Sequence, residues 1–222
     1  MTSVFRPLWL ACTVLMFSQP LLAADAPVGG SALAATAAVG AAPGQPAPAF
    51  TLMDIEGKSH SLADYKGKTV VLEWYNPDCP FVKKHYDSKN MQELQKEMAA
   101  KDVQWLLINS SAVGKQGNCD PARARELIKE NGISASSFLL DHDGTVGHAY
   151  GAKTTPHMFV IDKEGTLVYN GAIDDNPSAK PEDARTAHNL VRAAVNEVLA
   201  GSAVTKAATQ PYGCGVKYAD KK

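Results

Sequence analysis

Cysteine is scarce in this chain, four residues in 222. One of them, Cys12, lies in an N-terminal segment with the layout of a cleaved leader, which leaves Cys79, Cys119 and Cys214. Three cysteines are too few for a disulfide scaffold. An odd number in an exported chain means that at least one thiol is free, reactive or paired outside the chain. Excess charge is missing as well. Lysine and arginine number 22 against 23 aspartate and glutamate, a net charge of −1, so nothing points to nucleic acid or to an anionic membrane surface as a partner. There is no apolar run of the ~20 residues that a membrane span needs, and no internal repeat.

What is present begins with a short apolar stretch, Leu8 to Phe17, behind Arg6 and ahead of small residues at Ala23, Ala24 and Ala26. This is the pattern of a secretory signal peptide, assigned to residues 1–24, and it implies a periplasmic or secreted protein with no stable membrane insertion after cleavage. Cys12 is not read as a lipidation site, because Trp9 stands where a lipobox wants a small aliphatic residue and the cysteine comes too early. From Pro27 to Pro48 the chain is mostly Ala, Gly and Pro, without a charged residue. Residues 25–45 are therefore expected to be a flexible linker, followed by a domain over 46–201 and a tail over 202–222 that carries Cys214.

With 45% apolar residues, the domain can bury a sizeable core. Phe50 onward reads as a strand, a turn at Glu56-Gly57 and a short second strand. Thr69 to Tyr75 is β-branched and nearly all apolar, the composition of a strand covered on both faces. Asn76-Pro77-Asp78-Cys79-Pro80 breaks it, and helical composition follows to about Lys101, with a possible interruption at Asp87 to Asn90. Val103–Asn109 is a second buried strand. Asp120-Pro121 starts a helix that Gly132 stops. Ser136–Leu140 is a short strand, and Asp143-Gly144 turns into a brief helix ending near Gly151. His157–Asp162 and Thr166–Asn170 form a hairpin about Lys163-Glu164-Gly165. Pro181–Ala200 has the spacing of an amphipathic helix. This order predicts a mixed β-sheet with helices on both faces.

Cys79 then stands at the end of a buried strand and the start of a helix, where unpaired N–H groups and the helix dipole favour an anion. That placement predicts a reactive thiol with a moderately depressed pKa, supported by Lys83, Lys84 and His85 and opposed by Asp78. The proline- and acid-rich turn argues against an inert core cysteine.

The segment from Trp74 through Cys79 to Tyr86 resembles the active-site segment of thioredoxin-like redoxins of the alkyl hydroperoxide reductase/thiol-specific antioxidant group. Thr155-Pro156 resembles their cis-proline loop. Ile173-Asp174-Asp175 and Pro211 to Tyr218 are similar to one peroxiredoxin-like subgroup. The resemblance runs from about Ala47 to Tyr218. It implies an α/β, thioredoxin-like fold, a central mixed sheet flanked by helices with an N-terminal hairpin and a C-terminal tail. It also implies Cys79 as redox-active nucleophile, with Pro80, Thr155 and Pro156 next to the substrate.

Two positions depart from these patterns. Val82 replaces the second cysteine of a thioredoxin motif, so a vicinal dithiol is excluded. Asn76 replaces the Thr or Ser that peroxiredoxins carry three residues before the reactive cysteine. A solitary nucleophile needs a resolving thiol, and Cys214, placed there by the resemblance, is preferred to Cys119. The expected function is an exported thiol-disulfide oxidoreductase with Cys79 and Cys214 as its catalytic pair. Its partners are a protein or small-molecule disulfide and an external thiol reductant. A peroxide reductase is the alternative, and a non-catalytic copper-binding or interaction module the third option. No cofactor or metal is expected. His60, His142, His148 and His188 are read as surface residues, Lys83-Lys84 as a solvated helix face, and His157 as an ordinary strand residue. Asp174 and Asp175 either bind a cation or cap a loop.

Overall fold

The computed structural model describes residues 1–2 and 41–220, and the elements of the fold lie within 41–220. Apart from Met1 and Thr2, the expected signal peptide, Cys12 and linker residues 25–40 lie outside the described residues. The elements run β1 (Thr51–Asp54), β2 (Ser59–Ser61), β3 (Val70–Trp74), α1 (Pro80–Asp87), α2 (Asn90–Ala100), β4 (Gln104–Asn109), α3 (Pro121–Asn131), β5 (Ser137–Leu140), α4 (Thr145–Tyr150), β6 (Thr154–Thr155), β7 (His157–Ile161), β8 (Leu167–Gly171), α5 (Leu190–Leu199) and β9 (Cys214–Gly215).

Seven strands form one sheet in the order β2-β1-β5-β4-β3-β7-β8, and β6 pairs with β9 in a separate two-stranded sheet. β3, β4 and β5 are parallel, each joined to the next by a helical crossover, while β7 returns antiparallel to β3. This is the mixed, thioredoxin-like α/β arrangement that the sequence predicts. Every residue of β3 is buried. Val71 joins Tyr75 in a core with Val82 of α1, Met91 and Leu94 of α2, and Val191 and Val195 of α5. Val70, Leu72 and Trp74 point the other way, onto Ile108, Tyr150 and Phe159. The apolar run thus serves two cores, which is why it does not alternate.

Two segments differ from expectation. The end of the expected linker is not free: Gly44 N–H bonds Leu167 O at 2.8 Å, and Leu167 N–H bonds Gln45 O at 2.9 Å. The ordered chain therefore starts before residue 46, because the edge of β8 offers backbone partners that composition cannot reveal. The helix expected over 181–200 is split into a 3-10 turn at Pro181–Arg185 and α5. Leu190 N–H is held by Ile173 O at 3.0 Å and His188 N–H by the Asp175 carboxylate at 2.9 Å, while the Asn189 side chain caps Arg192 N. These contacts hold the chain extended just where α5 begins. The tail is docked along the domain, running beside β8 and then pairing with β6.

Within β3 one position is not apolar. Glu73 is fully buried and accepts hydrogen bonds from Trp105 Nε1 (2.8 Å), Tyr86 OH (3.0 Å) and Gln95 Nε2 (3.3 Å). Burial raises its pKa from 4.5 to about 7, and the three donors only partly offset that. The folded state thus holds a proton that the unfolded chain releases between these values, so this contribution to stability falls as pH rises through them. At ~1.4 kcal/mol per pH unit the loss is on the order of 3 kcal/mol. The buried imidazoles of His85 and His157, held neutral to about 3 and about 4, act with the opposite sign below pH 6.5. The difference between variants isolates Glu73: urea unfolding at pH 5 and pH 8 is expected to show Glu73→Gln gaining on the wild type by about 3 kcal/mol at the higher pH. A pH-independent difference would remove the protonated carboxyl from the account.

Candidate active site

Cys79 is the N-cap residue of α1, in extended backbone, with Pro80 exposed at the first helical position. Asn76 O holds Cys79 N–H at 3.2 Å, and Cys79 O accepts from Val82 and Lys83 at 3.0 and 2.9 Å. These bonds fix the sulfur against the open end of the helix, where the macrodipole favours negative charge. The thiol has no solvent-exposed surface and donates to Thr155 O at 2.9 Å. The Thr155-Pro156 bond is cis, as the sequence suggests, and both residues are buried.

The tail brings Cys214 to the same place. It leaves α5, lies along β8 through Asn170 N–H to Ala207 O and Thr209 N–H to Asn170 O (3.0 Å each), and reaches β6. There Cys214 pairs antiparallel with Thr155 and Gly215 with Thr154. Gly213 makes the approach possible. Its φ is +140°, and a Cβ at that position would stand 2.1 Å from Thr155 O. Both cysteines are free thiols, Cys79 buried and Cys214 half-buried. Burial pushes the Cys214 thiol up to about 11, and a side-chain hydrogen bond to Cys79 and the Cys79 charge push in the same direction, with Lys217 opposing them. Cys79 Sγ, bonded to Thr155 O, and Cys214, paired with Thr155, thus meet at one residue before any bond joins them.

Cys119 is differently placed. It is fully buried behind the 110–118 loop, with Sγ near Gly117 O at 3.5 Å, and burial raises its thiol to about 12. Asn76 is likewise committed. Its amide donates to Gln116 O at 3.4 Å, its carbonyl accepts from Asp78 N at 2.8 Å, and it packs against Gly117 with no exposed surface. Val82 is a core residue, 1% exposed.

The roles of three neighbours of the site were not foreseen. Lys84 is not on a solvated face. It is fully buried, 3.1 Å from Asp174, and also donates to Asn176 O at 2.6 Å and Tyr212 OH at 3.2 Å. Tyr212 OH in turn donates to Asp174. His85 presents Nε2 to the same hydroxyl at 3.2 Å and Nδ1 to the Asn90 amide at 2.9 Å. Burial and the Lys84 charge hold it neutral to about 3, and the network fits the Nε2–H tautomer. Both ring nitrogens being engaged, His85 offers no lone pair to a copper ion beside Cys79. Asp174 is thus the counter-ion of Lys84, and Asp175 caps His188. No spacing rule joins residues 84, 174 and 212, so only the fold could reveal them. His60 also departs from expectation: it is buried between Asp54 (2.8 Å) and Tyr65 (2.6 Å).

A helix-start cysteine facing a cis proline is accompanied by a match of residues 43–170 to the AhpC/TSA family. The chain belongs to that family. Among similar family-related proteins is thiol-disulfide oxidoreductase ResA of Geobacillus thermodenitrificans, 32% identical over 124 residues. The match takes in 56% of this chain and 66% of the relative, so the chain spans just under two thirds of that protein's length. An uncharacterized conserved protein from Geobacillus kaustophilus superposes with a TM-score of 0.70 at 26% identity, over 81% of this chain and 94% of that one. A Chlorobium tepidum protein provisionally named thiol:disulfide interchange protein DsbE shares the fold at 21% identity, TM-score 0.53, over 72% of this chain and 99% of that one.

The buried pair at the site's back wall has a measurable consequence. Removing one partner of a fully buried ion pair typically costs ~3–5 kcal/mol, whereas replacing both with apolar groups is often neutral. Asp174→Ala is therefore expected to lower the unfolding free energy by about that amount in urea titrations, and Lys84→Met/Asp174→Leu to recover most of it. A loss below ~1 kcal/mol in the single variant would mean that Lys84 finds water.

Proposed function

We propose that this protein is an exported thiol-disulfide oxidoreductase that cycles between a Cys79/Cys214 dithiol and a disulfide. The observation that carries the reading is the pairing of Cys214 with Thr155, which sets its thiol against the buried helix-start thiol of Cys79. The export rests on the leader pattern of residues 1–24.

In the forward step Cys79, as thiolate, attacks a substrate disulfide. One substrate sulfur leaves as a thiol and a mixed disulfide forms. Because Cys79 is closed to solvent, β9 must move aside for this encounter. Cys214 then attacks Cys79 Sγ, the second substrate sulfur departs, and the Cys79–Cys214 disulfide remains until an external thiol reduces it. Thr155 and Pro156 wall the sulfur, and Pro80 sits at its rim. The engagement of Asn76 in its own turn weighs against peroxide as the preferred oxidant, since its amide is already bonded to Gln116 O and to Asp78 N. The raised and buried thiol of Cys119 weighs against it as resolving cysteine.

With the mature protein, stoichiometric oxidation by a small disulfide should yield a Cys79–Cys214 linkage on non-reducing peptide mapping. Cys79→Ser and Cys214→Ser should each drop multiple-turnover disulfide reduction to background, and Cys119→Ser should keep most of it. Faster oxidation by hydrogen peroxide than by disulfide would favour the peroxidase reading instead, and an unaffected Cys79→Ser would dismiss the site altogether.

A further inference from the structure

The two sulfurs of the proposed couple are not equally reachable. Cys79 has no exposed surface, whereas Cys214 is partly open. The cover over Cys79 is the tail itself. It is anchored on one side of Cys214 by Tyr212 in the Lys84/Asp174 pocket and on the other by Tyr218, whose hydroxyl donates to Ala152 O at 2.9 Å and whose ring stacks on His148 at 4.0 Å. Between these anchors Val216 N–H bonds Lys153 O at 3.2 Å, and Ala112 N–H bonds Lys217 O at 2.8 Å. Among the described residues β6 has no partner strand but β9. An extended polypeptide gains affinity by adding a strand to a free edge, and here the edge beside Cys79 is already filled by the chain's own cysteine-bearing strand.

We propose that the disulfide form is reset through Cys214, by a low-molecular-weight thiol that attacks Cys214 Sγ from its solvent side, with Cys79 as the buried leaving sulfur. This inference rests on the proposed Cys79–Cys214 couple and adds which sulfur meets the reductant and what class of reductant fits. The external thiolate, its proton given up to solvent, forms a bond to Cys214 Sγ. The Cys79–Cys214 bond breaks, and Cys79 leaves with the electron pair. The helix start stabilises that thiolate, and protonation returns it to the hydrogen bond with Thr155 O. A second thiolate attacks the external sulfur of the mixed disulfide, releasing Cys214 and the oxidised small disulfide. Two external thiols are oxidised and one protein disulfide is reduced. Leaving-group order agrees with access, since exchange is faster when the better-stabilised thiolate departs, and of the two sulfurs only that of Cys79 stands at a helix start.

The wild-type protein tests this without substitutions. The isolated disulfide form is mixed with glutathione, quenched in acid within milliseconds to seconds, alkylated in denaturant and mapped. The expected adduct is glutathione on Cys214 with Cys79 alkylated. In parallel, the reduction rate with glutathione is compared with that of a ten-residue extended peptide bearing one cysteine of matched thiol pKa. The peptide is expected to be at least tenfold slower. Glutathione on Cys79 or Cys119 overturns the assignment of the attacked sulfur, and equal rates overturn the assignment of a small reductant. If no Cys79–Cys214 disulfide can be prepared, the proposed couple itself fails, an outcome distinct from either of these.

Discussion

The hydroxyl of Tyr212 fixes where the thiols of Cys79 and Cys214 meet. It reaches the one buried charge pair beside the site, Lys84 with Asp174, and the neutral imidazole of His85. A lysine with no exposed surface has to be matched by charge and by hydrogen bonds, or the cost of its desolvation is left standing. Asp174 supplies the charge, and Asn176 O and Tyr212 OH supply the bonds. In consequence α1, the segment after β8 and the tail are pinned to one point. Cys79 is one turn from Lys84 on α1, and Cys214 is two residues from Tyr212, so satisfying the ammonium group also brings the two thiols together.

Much of this framework can be read in the sequence, and the parts that cannot share a cause. The buried strand of residues 69–75, the cysteine at a helix start, the cis proline and the hairpin about Gly165 are all set by local pattern. A run of β-branched residues or a proline at a fixed place means the same thing wherever it occurs. Lys84 looks like any solvated helix lysine, because its partners lie 90 and 128 residues further on. Glu73 is different. A carboxylate inside a run of apolar residues is visible as an anomaly, and Trp105, Tyr86 and Gln95 explain why it is tolerated. The helix boundary near residue 189 is overridden by backbone pairing with residues 173–175, a tertiary contact that outweighs amphipathic spacing.

The two departures from family patterns also gain a physical meaning. At Val82 the space a second cysteine would fill is core, so no local dithiol can form. At Asn76 the side chain is spent on the 116–118 loop and on the turn that presents Cys79. Both positions have been given over to holding the first cysteine still, and the second thiol of the proposed couple is supplied from the far end of the chain by β9.

That distance in sequence carries a further weight when the two sulfurs are joined. Closing a loop removes conformational freedom from the unfolded chain, by about 4.7 kcal/mol for 100 residues on the chain-entropy view, and the loop from Cys79 to Cys214 is longer than that. The folded state gives up little in return, because β9 is already seated with both thiols free. The oxidised protein is thus the more resistant to unfolding, and each reduction hands that advantage back. In the proposed couple, electron transfer and resistance to unfolding are in this way tied to one bond.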